Sequence, residues 1–164
     1  MVLENIFARK SVRKFTSEPV SDKQVETLLK AAMAAPSAMN KQPWRFVVVN
    51  DKEKLASMAE SLPYARLDTA PLAIVVCGDL SDYKKFWVDD CSAATENLLL
   101  AAEAMGLGAV WTAASDDERS AIVKNALELP ENIHPLCIVP VGHPDGEFQP
   151  KDKWDPSKIH YNKW

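Results

Sequence analysis

Three short stretches of this 164-residue chain combine cations, hydroxyls and amides at spacings that suit ligand binding. The first is the basic segment, residues 9–13, which places three cations and one hydroxyl within five positions. Such a run is either a solvated charged surface or a site for a phosphate or a pyrimidine edge, since arginine offers paired planar donors to both. The side chains concerned are Arg9, Lys10, Ser11 and Arg13.

The second stretch is the rim loop, residues 35–44, which holds Pro36 and Pro43 together with Ser37, Asn40 and Gln42. Its Ser and Asn side chains could simply satisfy the backbone of a turn. Two fixed φ angles and amide side chains would also form a rigid polar rim for a flat heterocycle. A flavin needs such a rim, because its pyrimidine edge alternates acceptors with a donor.

The third stretch carries Lys151 and Lys153 near the end of the chain, on either side of Asp152. Alone, these lysines would be read as solvated charges. If this end of the chain folds back onto the basic segment, however, they would complete a phosphate site.

Helical periodicity predicts the elements that must position these residues. A capping box, Ser21 with Gln24, opens a helix that should stop at Ala35, because Pro36 disfavours helical geometry there. A second helix should follow Asp51. The two later helices are predicted to run from about Tyr83 to Met105, stopped by Gly106, and from a capping box at residues 115–118.

Apolar runs of strand length lie between the predicted helices, at residues 46–49, 72–77, 109–112 and 136–141. Short unbroken runs rich in Val and Ile are typical of strands covered on both faces. The pattern predicts an α+β protein with about four central strands. The whole chain, residues 1–164, has the length of one domain.

The composition changes after Gly142, where residues 143–164 form a Pro- and Lys-containing tail with little periodicity. Trp154, Tyr161 and Trp164 are large apolar groups on a segment without a core of its own. They need another surface to cover them, and a partner subunit would supply one.

Charge and composition exclude several classes of protein. The chain has 19 basic and 23 acidic side chains, a net charge of −4, which argues against a dedicated nucleic-acid binder. No apolar run approaches the length of a membrane span, and no signal-peptide core is found, so we expect a cytoplasmic protein without a membrane partner. Three scattered cysteines, Cys77, Cys91 and Cys137, predict buried reduced thiols.

No metal or carboxylate site is expected. The cysteines and the three histidines lack the spacing of metal ligands. Asp89 and Asp90 are neighbours, but adjacent helix positions point about 100° apart, which argues against a shared acid–base pair.

Four stretches together resemble the nitroreductase family of FMN-dependent oxidoreductases, over essentially the whole chain. They are the basic segment with Phe15 and residues 19–20, the rim loop through Phe46, residues 106–112, and residues 141–144 followed by Lys151 and Lys153. The resemblance implies an α+β fold with a mostly antiparallel sheet of four to five strands flanked by helices. It also implies a domain-swapped homodimer, with the tail packed on the partner and non-covalent FMN at the interface.

The resemblance further assigns roles to residues at matching positions. Arg9, Lys10, Ser11 and Arg13 would meet the phosphate, ribityl chain and pyrimidine edge of FMN, and Lys151 and Lys153 would bind the phosphate. Pro36, Ser37, Ala38 and Asn40 would line the ring from the other subunit, and Trp111, Thr112 and Ala113 would pass beneath it. No catalytic side chain is expected, because the flavin itself carries the hydride.

The implied activity is hydride transfer from NAD(P)H through FMN to nitroaromatic, quinone or related acceptors in a ping-pong cycle. An alternative is an FMN carrier or redox-sensing protein on the same fold that does not turn over. A third possibility keeps the enzyme but changes its reaction, for example to reductive dehalogenation, because one fold can host several chemistries.

Overall fold

A computed structural model describes residues 2–81 and 84–164, which form five helices and one five-stranded sheet. The helices are α1 Val2–Ala8, α2 Asp22–Met33, α3 Lys52–Ser61, α4 Trp87–Ala104 and α5 Asp117–Leu127. The strands are β1 Trp44–Val49, β2 Leu72–Asp79, β3 Gly108–Ala109, β4 Thr112–Ala113 and β5 Ile133–Gly142. No helix in the described ranges is both long and apolar enough to cross a bilayer.

Local hydrogen bonds at the helix starts explain where α2, α3 and α5 begin. The predicted capping box of Ser21 and Gln24 is present at α2, and Asp51 caps α3. The predicted box at residues 115–118 is wrong by one position. Asp116, rather than Ser115, accepts the N–H of Arg119 at 3.1 Å, and its carboxylate also pairs with the Arg119 side chain. This second contact favours Asp116 as the cap.

The long helix α4 ends close to the predicted residue but starts later. Its cap is Met105, and Gly106 follows in a left-handed conformation with φ of 70°. The predicted start at Tyr83 lies outside the described residues, and residues 84–86 are not helical. Phe86 precedes the helix at φ −122° without a side-chain cap. The apolar periodicity therefore predicted too long a helix, because it does not indicate at which residue the backbone becomes helical.

The sheet has the order β1-β2-β5-β3, with β4 also paired to β5, and every pairing is antiparallel. The single strand predicted at residues 109–112 is two short pieces instead. Residues 110 and 111 separate them, while both pieces pair with β5. The Thr112 hydroxyl also donates to the Ile138 carbonyl at 2.7 Å. The other three predicted strands are present, each somewhat longer than its apolar run.

Both faces of the sheet are covered, as the apolar runs predicted. On one face Ile74 and Val76 pack with Leu28 of α2 and Leu98 of α4. On the other face Val75 packs in a cluster contributed by α3 and α5. Adjacent residues of β2 thus point to opposite cores, as the two-residue period of a strand requires.

The basic segment is attached to the edge of this sheet. The Val12 N–H donates to the Ala109 carbonyl at 3.0 Å, and the Val12 side chain is buried. Further along, Phe15 bridges to Pro144, and the Thr16 N–H donates to the His143 carbonyl at 2.9 Å. The two ends of the chain are therefore bonded to each other at the first two residues of the tail.

Gly108 allows this close attachment, which makes it a test of how the basic segment is held. A Cβ added there would lie 2.5 Å from Val12 Cγ1 and 2.7 Å from Val12 Cβ. We expect Gly108→Ala to lower the free energy of unfolding by about 1–3 kcal/mol, as overpacking does. Urea unfolding measures the loss, and hydrogen exchange of residues 9–16 should rise, because the segment must move outward.

Gly106→Ala is the matched control. It meets nothing within 4 Å, so its cost comes from the left-handed backbone alone, roughly 1 kcal/mol. Exchange at residues 9–16 should stay as in the wild type. Equal protection of that segment in both variants would contradict the role given to Gly108.

Candidate functional site

The tail returns to the basic segment, so that cations from both ends of the chain face one cleft. This cleft has a volume of about 260 Å³. It contains all six of the basic-segment and tail residues predicted as site residues, and five of the six are cations. The lining consists of Arg9, Lys10, Ser11, Arg13, Gln149, Lys151 and Lys153.

Two of the five cations already have carboxylate partners on α4. Lys10 Nζ lies 2.7 Å from Glu103 Oε1, and Arg9 Nε lies 3.5 Å from Glu96 Oε1. The two glutamates are seven residues apart, which is two helical turns and therefore one face of the helix. Helix α4 thus supplies a negative face behind the positive cleft.

The other three cations form no ion pair with any residue in the ranges 2–81 and 84–164. They are Arg13, Lys151 and Lys153, and all three are exposed. Lys14, next to Arg13, differs from them, since its Nζ pairs with Asp145 at 2.7 Å. The cleft therefore presents three uncompensated cations and the Ser11 hydroxyl, a donor set that suits a phosphate dianion.

Side chains of the rim loop form hydrogen bonds within the loop, as the turn interpretation of its Ser and Asn residues predicted. The Ser37 hydroxyl accepts a hydrogen bond from the backbone N–H of Gln42 at 3.0 Å. The side-chain oxygen of Asn40 accepts one from the side-chain NH2 of Gln42 at 2.8 Å. Met39, Asn40 and Gln42 all have positive φ, between 50° and 54°. Non-glycine residues rarely adopt this conformation, so the surrounding contacts must hold the loop in place.

The rim loop does not line the cationic cleft of its own chain. Pro36 and Asn40 are exposed, and Ser37 and Ala38 are half-buried. The assignment of these four residues to a ring bound by another subunit stays a prediction, since it requires a second copy of the chain.

Residues 111–113 lie at the β4 end of the sheet, outside the lining of the cationic cleft. Trp111 packs against the core cluster on the α2 and α4 side of the sheet, and Thr112 is buried. Ala113 is exposed, and its carbonyl accepts the Tyr64 hydroxyl at 2.6 Å. That bond ties the strand end to the turn after α3 and leaves the placement of this segment against a ring as a prediction.

Sequence reasoning missed Asp90. The sequence indicated Asp90 only as a neighbour of Asp89. In the structure the two side chains have different environments, since Asp89 is exposed and Asp90 is buried. Asp90 Oδ1 accepts the Ala38 N–H at 2.8 Å, which connects α4 to the rim loop. The sequence did contain a signal for the burial of Asp90. This residue precedes Ala94 and Leu98 by four and eight positions, which places it on the same buried stripe of α4.

The thiols lie in the core, as predicted. Cys77, Cys91 and Cys137 are free and buried, and burial raises the pKa of each thiol to about 12. They are therefore protonated at neutral pH and unsuited to nucleophilic chemistry. Within residues 2–81 and 84–164, no three His, Cys, Asp or Glu side chains group as metal ligands.

The fold and the cleft together define an antiparallel α+β protein with a cationic cleft lined by residues from both ends of the chain. The family model described as the nitroreductase family matches residues 6–62 and 61–143. The chain therefore belongs to the nitroreductase family, as its motifs predicted.

Related proteins match this chain over nearly its full length. A protein of Archaeoglobus fulgidus, provisionally named an NADH dehydrogenase/NAD(P)H nitroreductase, is 44% identical over 99% of this chain and 98% of its own. The crystal structure of a provisionally named protein of the same description from Bacteroides thetaiotaomicron has a TM-score of 0.96 at 52% identity, covering 99% and 98% of the two chains. An FMN-dependent nitroreductase from Clostridium difficile has a TM-score of 0.91 at 31% identity, covering 99% of each.

Proposed function

We propose that this protein is an FMN-dependent oxidoreductase that takes a hydride from NAD(P)H and passes electrons to nitroaromatic, quinone or related acceptors in a ping-pong cycle. The observation that carries the proposal is the convergence of cations from both chain ends on one cleft. The names of the relatives support both the nicotinamide donor and the flavin.

The cleft fits the phosphate end of FMN. Arg13, Lys151 and Lys153 have no carboxylate partner in the described part of the chain. Lys151 and Lys153 would neutralise the phosphate dianion, and Arg13 would extend from the cleft toward the ring. The volume of about 260 Å³ is below the roughly 300–1,000 Å³ of whole small-molecule sites. The ring of the cofactor must therefore extend beyond this cleft.

We assign the ring to the remaining predicted residues. Trp111, Thr112 and Ala113 would lie beneath it, and Pro36, Ser37, Ala38 and Asn40 would border it from a partner subunit. A homodimer is supported by the apolar surface of α1 and the tail, where Phe7 is 73% exposed, Trp154 74% and Trp164 99%. Such groups need a covering surface.

The bound flavin supplies the chemistry, accepting the hydride and delivering electrons to the acceptor. The chain binds and orients it, and we name no catalytic side chain. Arg13 would hold positive charge beside the pyrimidine edge, where negative charge develops on reduction. Lys10 is less suited to that role, because Glu103 already neutralises it. Free buried thiols support a reducing, cytoplasmic compartment.

Arg13→Ala tests whether this unpaired cation contacts FMN. We expect the dissociation constant for FMN to rise by roughly 10- to 150-fold, since a hydrogen bond to a charged group contributes about 1.5–3 kcal/mol. Titration of the apoprotein, followed by flavin fluorescence, measures it. Lys14→Ala removes the same charge one residue away, from an exposed pair with Asp145, and should change affinity by no more than about twofold. Equal effects of the two substitutions would show that Arg13 makes no specific contact.

Anaerobic mixing of the FMN-loaded protein with NADH and with NADPH separates the enzyme from a carrier or sensor. If the protein is the enzyme, at least one of the two donors should reduce the flavin after mixing, and the absorbance of the oxidised flavin should disappear. This requires that the nicotinamide can reach the flavin ring. Addition of a quinone or nitroaromatic should restore the absorbance. A protein that binds FMN tightly and is reduced by neither nicotinamide is the carrier.

Removal of residues 151–164 tests the tail. We expect it to weaken both FMN retention and dimerisation, because the segment carries two site lysines and the exposed aromatic residues. The double variant Lys151→Ala/Lys153→Ala removes charge alone, so it should weaken FMN binding and leave the dimer intact. Sedimentation velocity measures the dimer, and an unchanged dimer after truncation would place the partner surface elsewhere.

A further inference from the structure

Asp90 is a buried carboxylate that the proposed reaction does not use. It lies in the first turn of α4, with 5% of its surface exposed. Its Oδ1 accepts the Ala38 N–H at 2.8 Å, a contact between residues 52 positions apart. Its Oδ2 is buried and has no hydrogen-bond partner among the described residues. Keeping a carboxylate in such a place costs free energy, which a purely structural core position would avoid with an apolar side chain.

The segment that Asp90 contacts is the part of the rim loop with unfavourable backbone. Ala38 opens the short turn Ala38–Asn40, and Met39 and Asn40 follow it in left-handed conformations. The bonds made by Ser37 and Asn40 join residues within the loop and therefore fix its shape without fixing its position. Position is set by contacts with the body of the protein.

Two such contacts are found at opposite ends of the turn. After it, the Pro43 carbonyl accepts the Asp79 N–H at 2.8 Å, which holds the loop to the sheet. At its first residue, Asp90 Oδ1 accepts the Ala38 N–H and connects the turn to α4. The loop is therefore held to the core on both sides of the turn, and Asp90 is the side chain whose hydrogen bond holds Ala38.

We propose that Asp90 is a positioning residue for the cofactor site, holding the rim loop against α4 so that residues 36–40 keep the geometry required to border the flavin ring. The inference rests on the proposed function. Asp90 acts through the Ala38 N–H and touches neither FMN nor substrate. Its required property is a buried acceptor oxygen at the Oδ1 position.

Three substitutions of Asp90 distinguish how its hydrogen-bond acceptor, its charge and its packing contribute to FMN binding. Asp90→Asn keeps a carbonyl oxygen for the Ala38 N–H, loses the charge and places an NH2 group at the Oδ2 position. It should bind FMN within about threefold of the wild type, since the acceptor survives. Asp90→Ala removes the acceptor and should weaken FMN binding about tenfold. Asp90→Leu also removes the acceptor but fills the space, so it keeps the proposal testable if the alanine variant does not fold. Asp89→Ala removes an exposed carboxylate from the same turn and serves as the control.

Hydrogen exchange of the apoprotein gives a readout that does not need FMN. Exchange in residues 36–42 should rise in Asp90→Leu and stay near wild type in Asp90→Asn and Asp89→Ala. In the loaded protein, the visible circular dichroism of the flavin should change in Asp90→Leu, because the ring loses its fixed border. A purely structural role would lower the melting temperature and leave the FMN affinity of the folded protein and the flavin spectrum unchanged.

The outcomes distinguish this inference from the proposed function. If the wild type does not bind FMN, the proposed function is wrong, whatever the variants do. If the wild type binds FMN and Asp90→Leu matches it in affinity and in loop exchange, the positioning role is overturned. If Asp90→Asn is as defective as Asp90→Leu, the carboxylate charge matters rather than the acceptor, and the role stated here is also overturned.

Discussion

The structure depends on the convergence of five like charges at one cleft, which is electrostatically unfavourable unless something negative compensates them. Helix α4 provides part of the compensation through Glu96 and Glu103, which pair with Arg9 and Lys10. The remaining cations stay uncompensated in the described chain, and a bound dianion would complete the balance. The positive charge of the cleft is therefore a consequence of the way the two chain ends are joined, rather than of any single residue.

Helix α4 links the two regions assigned to the cofactor. One end of the helix holds Asp90, which contacts the rim loop, and the other carries Glu103, which contacts the basic segment. Between them the helix packs its apolar stripe on the sheet through Leu98 and its neighbours. A change in the packing of α4 would therefore alter both regions, and the rigid core keeps their relation constant.

Much of the local structure could be predicted because its causes are local. The capping box at Ser21, the stop at Gly106 and the apolar runs of β2 and β5 each depend on residues within a few positions of one another. One error arose where a nearby competitor existed, because Asp116 rather than Ser115 caps α5. Another was the strand predicted at residues 109–112, which is interrupted at residues 110 and 111. The motifs identified the family correctly, because they lie in order along nearly the whole chain.

By itself, the sequence determined the residue types of the site, the elements that carry them and the family to which they belong. Only the tertiary structure decided which cations of the cleft pair with carboxylates and which carboxylate holds the rim loop. Lys10 and Glu103 are 93 positions apart, and Ala38 and Asp90 are 52 apart. Periodicity and capping report contacts within a turn or two of backbone, whereas these pairings arise from the packing of α4 on the sheet.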